Sequence, residues 1–117
     1  MKKMDDLRAR TKEFAKRIIR LCRALPRTEE SFLIRRQLFR CGTSVGANYR
    51  AACRGRSRAD FIAKLGIVLE EADETLCWLE IIVETNIVAK KKLLEPLMKE
   101  NDELIAIFVA SINTAKD

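Results

Sequence analysis

Six apolar positions constrain this chain more than any other feature. Ile34, Leu38, Cys41, Val45, Tyr49 and Ala52 are spaced by fours and threes. At about 100° per residue they fall within roughly a quarter turn of each other, which only an α-helix provides. The stripe runs straight through Gly42 and Gly46, inside the stretch QLFRCGTSVGANYRAACRGRS, whose glycines and arginines otherwise suggest a phosphate loop. Such a loop would interrupt the helical period, and here the period holds. Neither G-x-G-x-x-G nor G-x-x-x-x-G-K-[ST] is present. The segment from about 29 to 54 is therefore read as one helix. Each interior glycine costs about 1 kcal/mol relative to alanine. Both lie on a flank of the apolar stripe, so the offsetting gain is close approach of a second helix. The alternative is a local kink at one of them.

Three further segments follow the same period. From about 5 to 25, Leu7, Phe14, Ile18, Leu21 and Leu25 share one stripe, which Pro26 ends. Thr28 is placed to cap the second helix, with Glu29 and Glu30 in its first turn. Gly55 closes that helix. Ser57 to Asp60 then reads as a capping box, with Asp in place of the usual Glu. The third helix, about 58 to 84, has Phe61, Leu65, Val68, Ala72, Leu76, Leu79 and Val83 in heptad steps. The fourth begins between Lys90 and Pro96, most simply near Glu95, and runs to about 115 with Leu97, Leu104, Phe108 and Ile112 inward. A chain of 117 residues suits a single domain, 1–117, with one core. Short connections make sequential helices antiparallel. The expected fold is all-α, an up-down-up-down antiparallel four-helix bundle.

The chain contains no histidine. That removes Ser-His-Asp and Cys-His catalysis, and the Glu-x-x-His ligand pairs of di-iron bundles. Its four cysteines form no C-x-x-C pair, so no zinc site is expected. Cys22, Cys41 and Cys77 sit at or near apolar faces and Cys53 at a face boundary, as reduced small hydrophobes. The sequence predicts no catalytic residues, no metal, no cofactor and no small-molecule substrate. Glu71 and Glu74, one turn apart, form a carboxylate pair that could in principle do acid–base work or bind a metal, a weak signal without histidine or a pocket motif. No apolar run approaches the roughly 20 residues that span a bilayer. The N-terminal MKKMDDLRARTKEF lacks the apolar core of a signal peptide, so a cytoplasmic location is expected.

Charge is strongly segregated. Between Ser31 and Ala59 there are seven arginines, Arg35, Arg36, Arg40, Arg50, Arg54, Arg56 and Arg58, and no acid or lysine. Between Asp60 and Glu84 seven acids face one lysine, Lys64. Arg36, Arg40, Arg50 and Arg54 project away from the apolar stripe, and the first helix adds Arg8, Lys12, Lys16, Arg20 and Arg23 outward. Two explanations compete. The arginines bind the phosphates of RNA or DNA, aided by a net charge of +6. Alternatively, they pair with the acids of the third helix, in the same chain or the next. No aromatics interleave the arginines in this projection, so the expected binding is backbone-directed. On the back of the third helix, Ile67, Glu71, Glu74, Trp78 and Ile81 step by fours and threes. This second seam predicts an oligomer interface in which a neighbouring subunit's arginines meet the glutamates. The alternative is burial of the helix on more than one side within a single bundle.

Gln37-Leu38, Thr43-Ser44-Val45-Gly46-Ala47-Asn48-Tyr49, Ser57, Asp60-Phe61, Glu71-Ala72-Asp73-Glu74-Thr75 and Trp78-Leu79 resemble the signature of the four helix bundle protein family. That family is related to proteins encoded within intervening sequences of bacterial large-subunit ribosomal RNA genes. Ala51 departs from it, since members often carry Glu there. The resemblance implies four antiparallel helices assembling into rings, commonly homopentamers, with no established activity in most members. The expectation is thus a non-enzymatic homo-oligomer that binds RNA or DNA through its outward basic face. The alternative is an interaction or scaffold module whose arginines bridge subunits.

Overall fold

The computed structural model describes residues 2–88 and 91–117. It contains α1 (Lys2–Ala24), α2 (Glu29–Cys53), α3 (Arg58–Glu84) and α4 (Glu95–Lys116), with a 3-10 turn at Lys91–Leu93 before the last. Among the described residues there is no strand. Pro96 lies in the first turn of α4. Lys90, the earliest expected start of that helix, lies outside the described residues.

The caps form where the sequence puts them. Thr28 Oγ1 accepts from the Ser31 N–H at 3.2 Å, and Ser57 Oγ accepts from the Asp60 N–H at 3.0 Å. The reciprocal half of the expected capping box differs. The Asp60 carboxylate accepts from the N–H of Arg56, at 3.1 Å, rather than from that of Ser57. Asp is one methylene shorter than Glu and finds its donor one residue further back.

Consecutive helices run antiparallel. Thr11 and Ile18 of α1 meet Gly46 and Gly42 of α2 respectively, and Arg10 of α1 reaches Glu100 of α4. The six-residue stripe of α2 is fully buried, together with Phe14, Ile18, Leu65, Val68, Leu79, Leu104 and Phe108. The seam of α3 departs from expectation at its C-terminal half. Thr75 and Ile82 are buried, whereas Leu76 and Val83 are half-buried. Leu65, Val68, Ala72, Thr75, Leu79 and Ile82 thus alternate threes and fours without a break. Thr75 is tolerated there because its hydroxyl donates to the Glu71 carbonyl at 2.7 Å.

A buried polar residue of α4 also went unanticipated. Asn101 is fully enclosed between α4 and α3. In the amide orientation that satisfies both groups, its nitrogen donates to the Ala72 carbonyl at 3.1 Å and its oxygen accepts from the Leu76 N–H at 3.0 Å. It therefore fixes the register of α4 on α3.

The glycines of α2 do what the stripe implied, and α2 continues through both. A Cβ at Gly42 would lie 2.7 Å from Cγ2 and 2.8 Å from Cγ1 of Ile18. One at Gly46 would lie 3.2 Å from Thr11 Oγ1 and 3.3 Å from the Thr11 carbonyl oxygen. By contrast, a Cβ at Gly66 in α3 meets nothing within 4 Å. Gly42→Ala is expected to lower stability by about 1–2 kcal/mol, because overpacking against a fully buried β-branched side chain exceeds the helix-propensity gain. Gly66→Ala is expected to raise it by up to about 1 kcal/mol. Urea denaturation of the two variants beside the parent chain checks both signs.

Candidate nucleic-acid interface

Because α1 lies almost on the backbone of α2, a shallow groove runs along the outside of the pair. Towards the start of α1 it encloses about 290 Å³, with Arg8, Lys12 and Arg50 around a floor of Ala15, Gly46 and Ala47. Towards the α1–α2 connection it encloses about 520 Å³, with Arg23, Arg27 and Arg35 beside Phe32 and Phe39. On α2, Phe32, Phe39, Thr43, Ala47 and Arg50 step by seven, four, four and three, so one face of the helix lines both hollows. No acidic side chain lines either.

The seven arginines singled out by sequence have three different fates. Arg35 is turned back onto its own chain. Its Nε donates to the Cys22 carbonyl at 2.8 Å and its Nη2 to the Leu25 carbonyl at 2.9 Å. It thereby supplies a charged donor to carbonyls at and just past the C-terminal end of α1, where the helix dipole also favours a cation. Arg40 is paired within the chain, with Glu74 and, at 3.3 Å, with Glu71. That hydrogen bond from Arg40 holds the Glu74 carboxyl below the usual range, and a second one from Trp78 Nε1 at 3.3 Å acts in the same direction. Arg36, Arg50, Arg54, Arg56 and Arg58 are exposed and make no ion pair among the described residues. Of the outward cations of α1, Arg8 approaches Asp5 at 3.7 Å and Arg20 approaches Glu13 at 3.6 Å. Lys12, Lys16 and Arg23 make none among the described residues.

Phe32 and Phe39 correct the expectation that no aromatic interleaves the arginines. Each ring is 49% exposed. The Arg35 guanidinium carbon sits 5.1 Å from the centroid of Phe32, a cation–π distance. The signal was available in the spacing Phe32, Arg35, Arg36, Phe39, one heptad with an aromatic at each end.

A family model described as 23S rRNA-intervening sequence protein matches residues 6–110. The chain belongs to this family. Its fold is also that of a crystal structure from Bacteroides thetaiotaomicron, a protein of the S23 ribosomal protein family described as having unknown function. The two share 36% identity with a TM-score of 0.85, over 95% of this chain and 98% of the other. Comparison with curated proteins finds no match.

In this family member the second seam of α3 is partly resolved within the chain. Glu71 and Glu74 were expected to meet a neighbouring subunit's arginines, but Arg40 of the same chain meets both. Trp78 and Ile81 are half-buried and pack against the core, as burial on more than one side requires. Ile67, 46% exposed, is the seam residue left open. Cys22 and Cys41 are buried, and burial pushes the Cys22 thiol up to about 11 and raises that of Cys41. Cys77, expected near an apolar face, is exposed. Among the described residues no group of three or more Cys, Asp or Glu side chains gathers to hold a metal. Among the described residues no helix is long and apolar enough to cross a membrane.

Arg35→Met is expected to destabilise the fold by roughly 1–3 kcal/mol, because two carbonyls lose a charged donor. Arg35→Lys should restore little, since it lacks the fork. Urea denaturation measures both. For Glu74, a depressed folded pKa contributes stability above the ordinary carboxylate range, lost as pH falls through the folded value. Arg40→Gln should therefore raise the Glu74 pKa and flatten the acid limb of stability against pH. NMR titration of the Glu74 carboxyl carbon reads the shift, and an unmoved midpoint contradicts the pairing.

Proposed function

We propose that this protein is a non-enzymatic nucleic-acid-binding bundle that holds RNA or DNA by its phosphate backbone along the α1–α2 groove. The observation that carries this is the groove itself, lined by cations from two helices and by no acid. An acid-free channel of one sign concentrates potential and attracts a polyanion over about a Debye length. Arg50 and Arg36 are exposed and unpaired among the described residues, so binding breaks no ion pair of theirs. The chain's lack of histidine weighs against acid–base catalysis at neutral pH. The family's description names a 23S rRNA intervening sequence, which makes RNA the first polyanion to test.

Ring assembly, with the chain as an interaction or scaffold module, is the second reading. Ile67 on the back of α3 favours it, as an exposed large apolar side chain on the same seam as half-buried Trp78, about three turns further along. Light scattering separates a monomer from a ring.

The backbone reading makes a quantitative prediction. Each phosphate contact contributes about 0.7–0.9 to the slope of log affinity against log salt. Lys12→Gln, Arg36→Gln and Arg50→Gln combined should lower that slope by about 2–3 and weaken binding uniformly across sequences. Arg40→Gln, whose guanidinium is already engaged, should leave the slope unchanged. Filter binding of labelled RNA across a salt series measures both, with circular dichroism confirming helicity. An unchanged slope in the triple variant rejects the groove.

A further inference from the structure

We propose that the end of the groove near the α1–α2 connection is a base-stacking platform that selects single-stranded nucleic acid, with Phe32 and Phe39 as its rings. The proposal rests on the backbone-binding function above and adds to it the class of strand. The two rings lie seven residues apart on one face of α2, roughly 10 Å along its axis. Each leaves half its surface in water, although the bundle buries every aromatic on its core stripes at least in part. Phe32, Arg35, Arg36 and Phe39 together line a further shallow hollow of about 490 Å³.

Three features make this a platform rather than a loose apolar patch. The Arg35 guanidinium lies against Phe32 and is held there by its bonds to the Cys22 and Leu25 carbonyls. It is thus a fixed planar cation, and a base stacks on such a plane as well as on a ring. Arg23, Arg27 and Arg36 surround the rings, with no acid among the lining residues, so the charge complements a phosphate chain. An apolar protein partner would instead have to neutralise or desolvate four arginines. Finally, the hollow beside the rings and the hollow beside Lys12 and Arg50 lie along the same α1–α2 face, so one strand can place phosphates along Lys12 and Arg50 and bases on Phe32 and Phe39. In a duplex the base faces are already stacked on one another, and these rings have nothing to receive.

The test compares a labelled single-stranded RNA of about 16 nucleotides, the upper end of one stacking site, with a duplex of the same length. Phe32→Leu and Phe39→Leu keep an apolar side chain but remove the π face. Combined, they are expected to weaken single-strand binding about 5-fold to 100-fold. Duplex affinity and the salt slope should stay at parental values. Replacing both rings by Trp should retain or tighten single-strand binding. A single-stranded DNA arm should behave like RNA, since every base has a π face. Unchanged single-strand affinity in the double Leu variant overturns the platform while leaving the backbone function standing. Equal loss on single strand and duplex also overturns it, as does a change in particle mass by light scattering, which would place the rings between copies of the chain. If the parent binds neither probe, the platform and the backbone function fall together.

Discussion

The contact between α1 and α2 is too close to admit a methyl group at Gly42. That closeness sets where the charges end up. It draws a cationic face of each helix to the edges of a single groove, where like charges repel. Among the described residues no ion pair joins α1 to α2, so no pairing between the two helices relieves the repulsion. The two helices are held instead by packing and by the Arg35 fork on the carbonyls at the end of α1. A surface assembled against its own electrostatics is the physical form expected of a polyanion site, since a bound phosphate chain removes the repulsion.

The other helix contacts are tied differently. Arg10 of α1 clamps Glu100 of α4 at 2.6 Å and Glu103 at 3.3 Å, across the α1–α4 contact. Arg40 ties α2 to α3, and Asn101 ties α4 to the backbone of α3. Each of these interfaces thus has at least one polar device. Apolar stripes alone permit a helix to slide by a heptad. A buried amide that needs both Ala72 and Leu76 does not, because a slip would strand its groups without partners.

Helix positions and caps were legible because they rest on local periodicity and local hydrogen bonds. The ends of all four helices fall within a few residues of expectation, and the glycine contact follows from its flank position on the stripe. The fates of individual arginines were not legible. A helical projection separates inward from outward, yet Arg35 finds carbonyls on another helix, and Arg40 finds carboxylates 31 and 34 residues away. Phe32 and Phe39 were overlooked because an outward aromatic has no place in an apolar-stripe count, although their heptad spacing around Arg35 and Arg36 was visible. Asn101 was missed for the converse reason, as a polar residue at an inward position.

A small difference in helical angle decides whether a cation of α2 is engaged or open. At about 100° per residue, Arg40 lies about 40° from Arg36 towards α3, while Phe32 and Arg50 lie about 40° from it towards α1. On the α3 side the acids of that helix are within reach, and Arg40 is paired. On the α1 side the neighbouring helix offers Arg8, Lys12 and Arg23 instead, and Arg50 has no carboxylate to meet. Arg36 and Arg54, five turns apart, share the azimuth between these two and make no ion pair among the described residues. The charge segregation along the sequence, arginines in α2 and acids in α3, would by itself suggest wholesale pairing. It fails to produce it because α3 flanks only one edge of a cationic arc that continues past its reach and opens over the groove.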